Sequence, residues 1–136
     1  LIVFIQLFQL LLSIPCVVLL TILHIENNPA GIDATIAWYG LGFIIYGVFD
    51  LVFFPAYYKN GYKAGKAFVI AAIPMLLLMI ASEGAVRLPA LAWLDSYAPY
   101  DLLLQAPILL FGILCYIILI CIAYWVSVKR FERVDL

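Results

Sequence analysis

Four long apolar runs separated by short polar stretches leave this chain few choices of fold. A helix crosses about 30 Å of hydrocarbon at 1.5 Å per residue, so roughly 20 mainly apolar residues make one crossing. Runs of that length are read over residues 1–23, 36–55, 64–85 and 107–126. The first is interrupted only by Gln6, Gln9, Ser13 and Pro15, the second holds Asp50, and the third has Pro74 at its middle. Hydrophobic residues make up 68% of the 136 residues and charged ones 11%, against about 45–50% and 25% in a soluble domain. A domain of this size cannot bury so much apolar surface, so lipid must solvate the excess. Inside lipid, backbone groups are satisfied only within helices or a closed barrel, and unbroken runs select helices. The expected fold is all-α: one polytopic transmembrane helical bundle of about four spans. Because the chain opens inside an apolar run, it reads as a fragment whose N-terminal part is missing. That first run is too long for a signal peptide and has neither a charged leader nor a small-residue cleavage site.

Charge placement orients the bundle. The connection after the second run carries Lys59, Lys63 and Lys66 with no acid, and the C-terminal tail carries Lys129, Arg130 and Arg133. Six of the seven basic residues therefore fall on one side, while the remaining connections hold Glu26, Asp33, Glu83, Asp95 and Asp101 with Arg87 alone. Basic residues close to span ends stay in the cytoplasm, which puts the 56–66 loop and the C-terminus inside and residues 24–35 and 83–100 outside. Interfacial aromatics give the same layout: Trp38, Tyr39, Trp93, Tyr97 and Tyr100 at the outer level, Tyr57, Tyr58, Tyr62, Tyr124 and Trp125 at the inner one.

Between the third and fourth runs, Leu88, Leu91 and Leu94 recur at three-residue spacing after Pro89. A short outer interfacial helix and an irregular apolar loop both fit. Pro107 fits a first-turn position, which divides the last segment into a short helix over 101–106 and a span from 107. Pro55 is read as the end of the second span, which leaves Asp50 only about 7.5 Å from the cytoplasmic boundary. Gly40, Gly42 and Gly47 on the second helix and Ala67, Ala71 and Ala72 on the third permit close helix approach. Pro15 and Pro74 bend their spans, as structure or as a gate.

Chemistry-bearing residues are sparse. No carboxylate pair, Ser/His/Asp set or Cys/His set shares a helix face, so no enzyme is expected, and no cofactor or metal. Cys16, Cys115 and Cys121 lie in apolar runs as small hydrophobes, and His24 stands without further ligand-type residues at metal spacing. The stretch from Gly61 to Ala67 imitates a phosphate loop, but it has three residues between its glycines in place of four, and Ala67 in place of Ser or Thr. Asp50 is the one ionisable group well inside a span, and such a group marks either a bundle-facing polar contact or a transport site.

The stretch Phe54-Pro55-Ala56-Tyr57-Tyr58-Lys59-Asn60-Gly61-Tyr62-Lys63-Ala64-Gly65-Lys66 closes one span with proline and opens the next with basic residues. It resembles the mid-protein loop of bacterial ABC-transporter permeases of the second membrane-domain type, the small six-span exporter subunits. The ending Tyr124-Trp125-Val126-Ser127-Val128-Lys129-Arg130-Phe131-Glu132-Arg133 is similar to the way those subunits finish. The resemblance implies the last four of six spans in the bacterial plasma membrane. It also implies a separate cytoplasmic ATP-binding-cassette ATPase, and a second permease copy or a related permease. Tyr57, Tyr58, Lys59, Gly61, Tyr62, Lys63 and Lys66 become the ATPase-coupling loop, with Asp50 a possible intramembrane polar site. The other classes in play are an ion- or proton-coupled carrier using Asp50 and a non-transporting membrane scaffold. Membrane lipid is a partner in every case, and nucleic acid in none.

Overall fold

The structure is a computed structural model and describes residues 2–22, 34–60 and 63–132. The chain runs α1 (Ile2–Ile22), α2 (Ile36–Lys59), α3 (Ala64–Val86), a 3₁₀ helix (Pro89–Asp95) and α4 (Pro99–Phe131). The all-α helical bundle expected from the sequence is the fold observed. Among the described residues, three helices, α2, α3 and α4, are long and apolar enough to cross a membrane, and the chain is a multi-pass membrane protein. The first apolar run forms α1, which holds the shorter apolar stretch Gln6–Leu19.

Two proline expectations are corrected. Pro55 does not end α2, which continues to Lys59, and Pro107 lies inside an unbroken α4 of 33 residues. A proline removes one helical hydrogen bond. Ending a helix inside apolar surroundings strands several backbone groups at several kcal/mol each, so continuation is the cheaper outcome. The first-turn proline of α4 is Pro99, with Asp101 favourably placed beside the helix N-terminus. At 1.5 Å per residue α4 is about 50 Å long, so its ends project past the hydrocarbon.

α2 and α4 run parallel and form the heart of the bundle. Successive contacts pair Ala37 with Gln105, Gly40 with Ile108 and Gly112, Gly47 with Tyr116 and Leu119, and Pro55 with Arg130. A Cβ at Gly40 would lie 2.6 Å from the Ile108 carbonyl oxygen, and one at Gly112 would overlap the Gly40 carbonyl. Glycine at both positions lets the two backbones touch, whereas Gly42 faces open space. α3 lies on α2, with Ala67 and Ala71 fully buried and Phe68 edge-on to Phe49 at 5.6 Å. α1 docks through Leu10, which packs with Tyr116 and Ile120, and through Gln6, which accepts a 2.9 Å hydrogen bond from the Tyr116 hydroxyl.

Of the leucine repeat, Leu91 and Leu94 lie in the 3₁₀ helix, whose three residues per turn match that spacing, and Leu88 is its N-cap. Leu88 is exposed and Leu94 is buried against the bundle. Seven residues is long for a 3₁₀ helix, and tertiary hydrogen bonds hold it. The Thr35 hydroxyl donates to Leu94 O at 2.6 Å and the Trp38 indole to Asp95 Oδ1 at 3.0 Å. Gln105, fully buried, donates from Nε2 to Trp93 O and Ser96 O at 2.8 and 2.9 Å. Its Oε1 accepts from Ala37 N at 3.3 Å. Ala37 N is one of the first-turn donors that a helix leaves unpaired. Thr35 stands at the N-cap with its hydroxyl already engaged, so Gln105 caps α2 from another helix.

Candidate functional site

The parallel course of α2 and α4, with α3 returning from the end of α2, gathers most of the basic side chains at one end of the bundle. Lys59 closes α2, Lys63 is the N-cap of α3, Lys66 lies in its first turn, and Lys129 and Arg130 are in the last turn of α4. Lys59, Lys63, Lys66 and Lys129 are exposed and Arg130 is half-buried. Asn60 caps α2 through both its backbone N–H and its Nδ2, which donate to Ala56 O at 3.0 and 2.7 Å. Arg130 Nη1 donates to Pro55 O at 3.0 Å, a bond that fastens the end of α4 to the proline turn of α2. The Lys129 ammonium stands 4.1 Å from the centre of the Trp125 ring, a cation–π contact at the level where aromatics meet headgroups.

Of the residues assigned to the coupling loop, Tyr57 and Tyr58 are half-buried and belong to a column of rings. Tyr46, Phe49, Phe53 and Tyr57 follow one another along α2 at 6.5, 5.4 and 5.9 Å, and Tyr58 meets Phe131 of α4 edge-on at 5.9 Å. Tyr58 thus ties the end of α2 to α4, Tyr57 stacks within α2 on Phe53, and the lysines are exposed. Gly61 and Tyr62 lie outside the described residues.

Asp50 faces the α2–α4 seam, one turn below the Gly47–Tyr116 contact, and is 2% exposed. With α2 continuing to Lys59, Asp50 lies about 4 Å along the axis from the helix midpoint, so it is further from the end of α2 than Pro55 implied. Its Oδ2 and the buried Ser127 Oγ have no hydrogen-bond partner among the described residues. A buried polar atom without a partner costs about 1–3 kcal/mol, more when charged.

Gln6, Gln105, Gly112 and Arg130 carry contacts that the apolar pattern did not single out. Each is a departure from its surroundings: an amide within an apolar run, a glycine within a span, a guanidinium beside the interface. That departure was the available signal, and the partner on another helix was not.

No family model, curated protein or solved structure matches this chain. The fold and its composition define the class, a multi-pass membrane protein built as a helical bundle.

Proposed function

We propose that this chain is a membrane-spanning permease subunit of an ATP-driven exporter of the ABC type, lining part of the translocation path. ATP hydrolysis then resides on a separate cytoplasmic subunit that presses on the connection between α2 and α3, and a second permease copy or a related one completes the path. The observation that carries this reading is mechanical. The exposed lysines of the 59–66 connection sit at the end of α2, and α2 is fastened to α4 by the glycine contact, by the Gly47–Tyr116 packing and by the Arg130–Pro55 bond. A push on the connection is transmitted to both helices and, through the buried Ala67 and Ala71 face, to α3. The resemblance of residues 54–66 to the exporter loop supplies the identity of the pushing subunit.

The test compares Lys59→Arg with the double variant Gly61→Val, Tyr62→Ala, scoring membrane insertion, ATPase co-purification and ATP-dependent export separately. Lys59→Arg is expected to behave as wild type. The double variant is expected to insert normally and to lose ATPase association or export. Normal association and export in the double variant would refute the coupling role.

A second reading, an ion- or proton-coupled carrier, draws on one observation: the buried Asp50 in the middle of α2, with an unpartnered carboxylate oxygen. Proton-gradient-driven transport without any ATPase, abolished in Asp50→Asn, would favour it over the exporter.

A further inference from the structure

We infer that a cleft at the basic end of the bundle is a binding site for the headgroup of an anionic phospholipid. The cleft lies between α2, α3 and α4 and encloses about 490 Å³, within the range of small-ligand sites. Its chemistry is divided by depth in the way a phospholipid is divided. Leu51, Ile70 and Val126 line it with hydrocarbon, and Lys59, Lys66 and Arg130 bring three cations to it from three different helices. Among the described residues, no acidic one lines it. Among the described residues, no carboxylate lies within ion-pair distance of any of the three cations. Arg130 is held in place by the bond from its Nη1 to Pro55 O, and a guanidinium with five N–H donors keeps others for a phosphate. The N-terminus of α3, which no side chain caps, adds partial positive charge at the same end.

A lipid, and not a free phosphate, is the occupant that fits. Val126 and Arg130 of its wall flank the turn of α4 that carries Lys129, and its apolar lining meets the exposed apolar surface of α3, where Ile70 is 40% and Ile73 58% exposed. A headgroup phosphate seated among the cations leaves its acyl chains along that surface. Basic pockets between transmembrane helices on the cytoplasmic side bind anionic headgroups by this division of charge and hydrocarbon. The site is independent of the ATPase reading, since any membrane protein with this end in the cytoplasm would meet such lipids.

The test uses the full chain purified in a non-ionic detergent. Phosphatidylglycerol or phosphatidylcholine is added, and bound lipid is counted by native mass spectrometry. Wild-type protein is expected to retain phosphatidylglycerol in preference to phosphatidylcholine, and excess glycerol 3-phosphate is expected not to displace it. Lys66→Gln is expected to weaken retention roughly five-fold, the scale of one cation near an anionic surface. Lys63→Gln removes the same charge from the same connection but lies off the cleft, and is expected to leave retention intact. Equal weakening by Lys63→Gln and Lys66→Gln would overturn the site in favour of diffuse attraction. Displacement by glycerol 3-phosphate, or the absence of any preference for phosphatidylglycerol, would overturn it as well.

Discussion

Replacing Gly112 with alanine adds a single methyl group at the point where α4 lies against the backbone of α2. The added Cβ overlaps the Gly40 carbonyl, and a backbone carbonyl in a helix cannot swing aside as a side-chain tip does. The reciprocal position gives the scale. A Cβ on Gly40 sits 2.6 Å from Ile108 O, and ordinary contact begins at 3.4 Å, so the helices must part by about 0.8 Å there and by more at Gly112. A radial gap of about 0.5–1 Å forfeits a quarter to a half of the dispersion attraction between facing atoms. Overpacking of a close contact costs about 1–3 kcal/mol. Alanine is the better helix former in water by about 1 kcal/mol, which offsets part of this only where the helix is exposed. Gly42→Ala is the control, because a Cβ there meets nothing within 4 Å. Thermal unfolding of both variants in one detergent, followed by circular dichroism, is expected to show Gly112→Ala melting several degrees below wild type and Gly42→Ala at or above it. Equal midpoints for the two variants would refute the argument that this glycine pair sets the α2–α4 spacing.

Gln105→Leu keeps the volume but leaves Ala37 N, Trp93 O and Ser96 O without their partner. A loss of about 2–3 kcal/mol is expected, together with protease sensitivity confined to the 89–98 segment; a midpoint unchanged in the same melting assay would contradict the capping role. Single cysteines at Asn60 and Ser96 in a cysteine-free background are expected to label from opposite sides of the membrane, and labelling of both by one impermeant reagent would overturn the orientation. Asp50→Asn replaces a buried carboxyl in the middle of α2 with an amide of the same shape and is expected to leave ATP-dependent export near wild type, with stability equal or higher. Lost export in a variant that still binds its ATPase would move Asp50 from structure to transport.

The helices were legible because hydrophobic length is a one-dimensional property. A run such as 64–85 either reaches across hydrocarbon or does not, and α3 is found at Ala64–Val86. Helix ends at proline were misread for a physical reason. In water Pro55 and Pro107 stop helices, whereas in apolar surroundings the cost of stranded backbone groups carries the helix through them. That misreading displaced Asp50 from the centre of α2. The Gly40–Gly112 contact and the three-way bond of Gln105 were not legible, because each joins residues that are about 70 positions apart or that belong to different helices. The cationic cleft was half-legible. Its charges stand out in the sequence as topological signals, but that Lys59 and Lys66 share one cleft with Arg130, while Lys63 does not line it, depends on the parallel packing of α2 and α4.

The coupling of this bundle to a separate ATPase is tested most directly by a photo-cross-linking residue placed at Asn60 in the full chain, expressed in its own membrane. The adduct is excised and sequenced after irradiation with and without ATP. The expected product is an adduct with the ATP-binding-cassette ATPase, formed at a yield that changes with nucleotide. Adducts with lipid alone, at equal yield with and without ATP and with the ATPase present in the same membranes, would contradict the exporter reading and leave the 59–66 connection as a membrane-surface anchor.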